Sequence, residues 1–251
     1  MKHDRFESLD LFWGSTDSKN TFRPKICYIY VQGEYGFIPY IIGSSVEGRK
    51  KPTVEILSKD MAVEPFNRMP NLVRPCWTAT QVSSNTCFVC ISNFPSIDMM
   101  PDANPEVWGQ TYPLMMDLLL FLKSHGCKQV NFISSMNTSD ATQASDLLIY
   151  DMYNDIRPDT DLLLALPAWG ITHLWQIMGG QSCVICVVQD QGQYIDQEAF
   201  NLLEEYIIAI GLPYDKVHRD RLTQVLLSVR ENMEQLSSTF DLFDDEAGDL
   251  L

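Results

Sequence analysis

The chain has 251 residues, 45% hydrophobic and 11% aromatic, which is enough to bury one large core and too apolar for a disordered chain. Its 18 basic and 33 acidic residues leave a net charge of −15, which argues against duplex DNA or RNA as a main partner, since such binding needs a basic footprint. No apolar run approaches the roughly 18–20 residues of a membrane span, and the N-terminus MKHDRFESLDLFW has no signal-peptide core, so no membrane partner and a cytoplasmic location are expected.

Residues 1–23 are taken as an N-terminal segment. PKICYIYVQG (24–33) reads as a strand ending in glycine, and EYGFIPYIIGSSV as a short helix or an irregular turn, with Pro39 restricted to a first helical turn. TVEIL (53–57) is a second strand; residues 60–80, with Pro65, Pro70 and Pro75, read as a long edge connection. TCFVCIS (86–92) is a buried strand and 94–109 a loop broken by prolines and glycine. The spacing of Tyr112, Met115, Met116, Leu119 and Leu122 predicts a helix over 112–126, with Pro113 in its first turn and Gly126 stopping it.

KQVNFIS (128–134) follows as a strand, DLLIYDMYND (146–155) as a helix and DLLLALP (161–167) as a strand. ITHLWQIM (171–178) is a short helix and SCVICVV (182–188) a strand. A helix over 197–211 has Asp196 as N-cap and ends at Gly211 and Pro213. The last helix, 219–236, carries Leu222, Leu226, Val229, Met233 and Leu236 at alternating spacings of four and three. That stripe either docks on the chain's own body or makes a partner contact. The tail SSTFDLFDDEAGDLL is acidic and is expected to be flexible.

Strands alternate with helices, and the strands are continuous apolar runs, as when both sheet faces are covered. The expected fold is α/β with a mostly parallel central sheet and a C-terminal helical extension. The expected division is an α/β domain over 24–215, an amphipathic helix over 216–238 and an acidic tail over 239–251.

No catalytic constellation stands out. Cys87-x-x-Cys90 and Cys183-x-x-Cys186 have zinc-like spacing, but they lie in strand-like runs. There, positions three apart point to opposite faces, so buried thiols are the simpler reading and no metal or cofactor is expected. The odd count of seven cysteines also fits reduced thiols. Gly33-Glu-Tyr-Gly36 sits where a phosphate loop would, but it lacks the glycine pattern, and Glu34 would repel a phosphate; a structural turn fits better. Ser134–Thr142 follows a strand and is rich in hydroxyls, with no base nearby in sequence. Of His3, His125, His173 and His218, only His173 sits beside a strand-end turn. Ile171, Leu174, Trp175 and Met178 share one helical stripe, and His173 falls off it. Pro167 then ends the preceding strand, and Gly170 and Gly179-Gly180 bracket the short helix.

Three blocks together resemble the PAC2 family of proteasome assembly chaperones. They are YVQGEYGFIPYIIGSSV leading to TVEILSKDMAVEPF; CFVCISNFPSID with WGQTYPLMMDLLLFLKSHGCKQVNFISSM; and LLLALPAWGITHLWQIMGGQSCVICVVQDQGQYIDQEAFNLLEEYIIAIGLPYD. They cover most of 24–236, through glycines and hydrophobic spacing. The resemblance implies a three-layer α/β/α fold related to nucleoside phosphorylases, no enzymatic activity, and homo-oligomers or hetero-oligomers with a sister subunit. It also implies a role in holding proteasome α-subunits during ring assembly. In the family a C-terminal hydrophobic-Tyr-X tail can dock on the α-ring; here the last residues are Asp249, Leu250 and Leu251, without the tyrosine. The competing expectation is an enzyme or small-ligand-binding protein on the same fold, using the loops Gly33–Gly36, Ser134–Thr142 and Pro167–Gly170.

Overall fold

A computed structural model describes residues 9–31, 38–48, 50–59, 76–92, 105–138, 146–151 and 166–190. Towards the C-terminus it describes 201, 204–205, 207–209, 211–212, 214–228 and 231. Its strands are β1 (Leu9–Trp13), β2 (Ile26–Val31), β3 (Val54–Ser58), β4 (Cys76–Gln81), β5 (Thr86–Ser92), β6 (Gln129–Thr138), β7 (Asp146–Asp151) and β8 (Gln181–Asp190). The helices are α1 (Thr16–Thr21), α2 (Ile38–Glu47), α3 (Pro105–Ser124) and α4 (Leu166–Ile177), with a further helical stretch over 216–228.

The strands form one sheet in the order β1-β3-β4-β5-β2-β6-β8-β7. The sheet is mixed, which corrects the mostly parallel expectation. β2 runs parallel to β5 and β6, and β6 to β8, while β1–β3, β3–β4, β4–β5 and β7–β8 are antiparallel. The reason is local. β4 and β5 are joined by four residues, with Ser83 Oγ accepting from the backbone N–H groups of Asn85 and Thr86 at 3.3 and 3.1 Å. So short a connection joins only antiparallel neighbours.

Several elements differ from expectation. Part of the supposed 60–80 connection is β4, whose Trp77 and Ala79 are buried on one face while Thr78 and Thr80 take the other. Residues 146–151 form a strand rather than a helix, pairing with β8 at the sheet's edge. α3 starts at Pro105, so Pro113 lies inside it and not in its first turn. α4 starts at Leu166, which makes Pro167 its second residue rather than a strand end, and puts Gly170 inside the helix. Residues 161–165 of the expected strand lie outside the described residues.

Two apolar layers cover the sheet. On one face Cys27, Ile29 and Val31 of β2 meet Met115, Leu118, Phe121 and Leu122 of α3 and Ile171, Leu174 and Trp175 of α4. Leu9 and Phe22 belong to this same cluster. On the other face Tyr28 and Tyr30 meet Ile41, Ile42 and Val46 of α2 and Ile207, Leu212, Leu222 and Leu226 from the C-terminal part. The helix over 216–228 is therefore part of a covering layer. Fully burying such side chains contributes about 1.5–3 kcal/mol each.

Candidate functional site

The parallel strands define two edges. At the carboxyl edge lie Val31, Ser92, Thr138 and Asp190, with Thr138 in register with Asp190. An open α/β sheet usually binds ligands there. Gly33 and Gly36, and 139–142 of the hydroxyl-rich loop, lie outside the described residues. Ser134 is described and fully buried within β6, so it does not face an open site. His173 lies exposed on α4. Among the described residues, Ser134 and His173 are not gathered into a catalytic centre.

The thiols are likewise distributed by the sheet. Cys87 belongs to the α3/α4 face and Cys90 to the α2 face, so that C-x-x-C pair is split across the sheet. Cys27 and Cys87 are register partners on β2 and β5, and burial pushes the Cys27 thiol well above its ordinary value. Burial raises Cys127 as well. Thiols held protonated are poor nucleophiles and poor metal ligands. Among the described residues, no group of three or more His, Cys, Asp or Glu side chains could hold a metal ion.

A buried polar cluster lies under the end of α2. The Tyr30 hydroxyl donates to Glu47 Oε1 at 2.7 Å. Burial pushes the Glu47 carboxyl up, offset in part by hydrogen bonds from Tyr30 and Thr80. α2 approaches this tyrosine through Gly43: a Cβ there would lie 2.3 Å from the Tyr30 ring. These contacts pin α2 to β2.

The amino edge of the sheet holds a cavity of about 380 Å³. Two helix-to-strand turns make it, side by side because β6 and β8 are neighbours: α3 to β6 through Lys123, Cys127 and Lys128, and α4 to β8 through Met178, Gly179, Gly180 and Gln181. Gly179 has φ +80, which closes the last turn of α4 as glycine does best. Gly180 lies flat against Trp175, where a Cβ would come within 2.1 Å of the indole nitrogen. Trp175 Nε1–H donates to the Lys128 carbonyl at 3.4 Å, and the Lys123 ammonium donates to the Met178 carbonyl. Gly179 and Gly180 thus form the turn from α4 into β8. The cavity beside them, with its two lysines, was not foreseen. Its signal is the repeated helix–glycine–strand pattern in KSHGCKQV and IMGGQS.

His125 and His218 have structural surroundings, and His3 lies outside the described residues. His125 packs among Trp13, Phe22 and Phe121, with ring centroids 5.7, 5.5 and 4.5 Å away. His218 sits in the first turn of the 216–228 helix, where the backbone N–H groups of Val217 and His218 donate to Asp215 Oδ1 at 2.8 and 3.0 Å. Those bonds, the one from His218 first, hold the Asp215 carboxyl below its ordinary value. Leu222 and Leu226 face the sheet and are buried, whereas Leu227 is 53% exposed. Val229, Met233 and Asp249–Leu251 lie outside the described residues.

No protein-family model matches the chain, and no curated protein matches it in sequence. Solved structures do match. PbaB of Pyrococcus furiosus, an archaeal proteasome activator, is 12% identical, with 92% of this chain and 99% of that one covered at a TM-score of 0.61. PbaA of Pyrococcus furiosus, an archaeal homologue of proteasome-assembly chaperone, is 12% identical over 96% and 94%, at 0.59. A proteasome-assembly chaperone homologue of Mycobacterium tuberculosis is 12% identical over 83% and 94%, at 0.52. The chain shares the fold of proteasome-assembly chaperone homologues. At this identity the likeness is one of architecture. No helix among the described residues is long and apolar enough to cross a membrane.

Proposed function

We propose that this chain is a non-enzymatic protein of the proteasome-assembly-chaperone kind, which binds proteasome α-subunits or a sister protein of its own fold. The observation that carries this reading is the end-to-end likeness to PbaB and PbaA, over nine-tenths or more of both chains. The side chains support it. Ser134 is sealed in the sheet, the described thiols are buried or nearly so, and His173 lies exposed on α4. Large apolar side chains nevertheless reach the surface on both helical layers: Leu120 and Ile177 on one, Ile208, Val217 and Leu227 on the other. Exposed apolar groups of this kind suit protein contacts. Val229, Met233 and the tail residues Asp249, Leu250 and Leu251 are the further candidates for contact with the α-ring. The enzyme on a phosphorylase-like fold is the less supported reading.

The test is capture of the tagged full chain from its native lysate, with and without Asp249–Leu251, followed by mass spectrometry of what is retained. Proteasome α-subunits or a homologous chaperone are expected with the full chain. Retention of neither, with the chain itself folded and monomeric, would overturn the proposal.

A further inference from the structure

The chain is acidic, yet the amino edge of its sheet is basic. Lys123 and Lys128 line the cavity there, and both are exposed. Lys25 stands one strand over, its carbonyl accepting from the N–H groups of Lys128 and Gln129 at 2.8 and 3.1 Å. The ion pairs among the described residues are Lys59–Asp10, His218–Asp215 and Arg219–Glu204, so Lys25, Lys123 and Lys128 have no carboxylate partner among them. Met178, half-buried against the core, and the edge of Trp175 add an apolar wall. Two exposed ammonium groups beside Met178 and the edge of Trp175 are the complement of an acidic segment that carries large apolar side chains.

The chain contains such a segment. Phe240-Asp-Leu-Phe-Asp-Asp-Glu246 alternates carboxylates with Phe240, Leu242 and Phe243, and residues 237–251 hold five carboxylate side chains and no basic one. We propose that this acidic tail segment, residues 240–246, folds back onto its own body and docks in the cavity between the α3–β6 and α4–β8 turns. Asp244, Asp245 and Glu246 pair with Lys123 and Lys128, and a phenylalanine covers Met178. Thirteen residues of chain lead from Glu231 to Asp244, a reach of at most roughly 45 Å. The proposal concerns the isolated chain, so it stands or falls apart from the identity of any partner.

The test is zero-length carbodiimide coupling of the purified full chain, read by peptide mass spectrometry. The expected result is amide links from Asp244, Asp245 or Glu246 to Lys123 or Lys128. These links should be strongly reduced in 1 M salt, where the screening length is roughly 3 Å. They should be lost in the double variant Lys123→Glu, Lys128→Glu, and return when Asp244→Lys and Asp245→Lys are added. Circular dichroism shows that each variant is folded. Coupling of the tail to Lys50, Lys51 and Lys59 as readily as to Lys123 and Lys128 would overturn the proposal. So would links found only between isotopically light and heavy copies in a mixture, which would make the occupant a second copy's tail.

Discussion

The two faces of the sheet are packed by different means. Against α3 and α4 the sheet presents Cys27, Ile29, Val31, Val89, Val130 and Phe132, an almost wholly apolar set. That face offers the buried Trp77 indole N–H no partner among the described residues. Against α2 and the 216–228 helix it presents Tyr28, Tyr30, Thr80 and Asn131, with the Glu47 carboxyl bonded to the Tyr30 hydroxyl. The first face is held chiefly by volume and shape, with the Ser182 hydroxyl donating to the Thr172 carbonyl of α4 at 3.1 Å. The second adds polar groups whose burial costs free energy unless each is bonded, and which therefore fix one position of α2. One face should answer to changes in volume, the other also to changes in protonation.

The largest expected effect is on the dry face. Phe132→Ala empties the middle of β6, where Phe132 is fully buried, and should destabilise the chain by about 3–5 kcal/mol. Urea unfolding at several pH values measures it, and the loss should not vary with pH. Leu222→Ala, on the other face, should cost about 2–5 kcal/mol, because Leu222 is fully buried in the second layer. A loss near zero would mean that the 216–228 helix does not cover the sheet in solution. Gly43→Ala drives a methyl into the Tyr30 ring and should cost about 1–3 kcal/mol. Pairing it with Tyr30→Ala should recover part of that loss, and simple additivity would deny the contact.

The smallest effect is the most selective. The Glu47 carboxyl is raised, chiefly by burial, so the folded state favours its neutral form. The stability linked to it is full below the ordinary carboxyl value of about 4.3 and is lost as pH rises through the raised folded value. Glu47→Gln keeps an acceptor for Tyr30 and cannot ionise. Its stability relative to the parent chain should therefore rise between pH 4 and neutrality, as thermal unfolding across that range would show. A difference that is flat with pH would mean that Glu47 is solvated rather than buried.

The central strands were legible in the sequence because burial on both faces leaves an unbroken apolar run. ICYIYV and TCFVCIS show this plainly. β4, β7 and β1 were not. CWTATQ of β4 looks like loop because Thr78 and Thr80 carry one face while Trp77 and Ala79 carry the other. DLLIYD of β7 has the apolar content of a helix turn, and its pairing with β8 decides it. LDLFW of β1 is only five residues long, and it gains its place from β3 and from the packing of Leu9 and Trp13 on the core. Tertiary pairing overrides local preference in such segments. For the candidate site, the sequence pointed to the carboxyl-edge loops and to the glycines at 179 and 180. It could not reveal that two distant turns meet around Lys123 and Lys128, since that follows from β6 lying beside β8.

The central proposal, in its more direct form, is that this chain binds proteasome α-subunits. The direct measurement is native mass spectrometry of the purified full chain mixed with purified α-subunits from the same cell. The account predicts a complex of defined composition between the chain, or its oligomer, and α-subunits. Masses of the free chain and free α-subunits alone, at concentrations where the α-subunits assemble with one another, would contradict it.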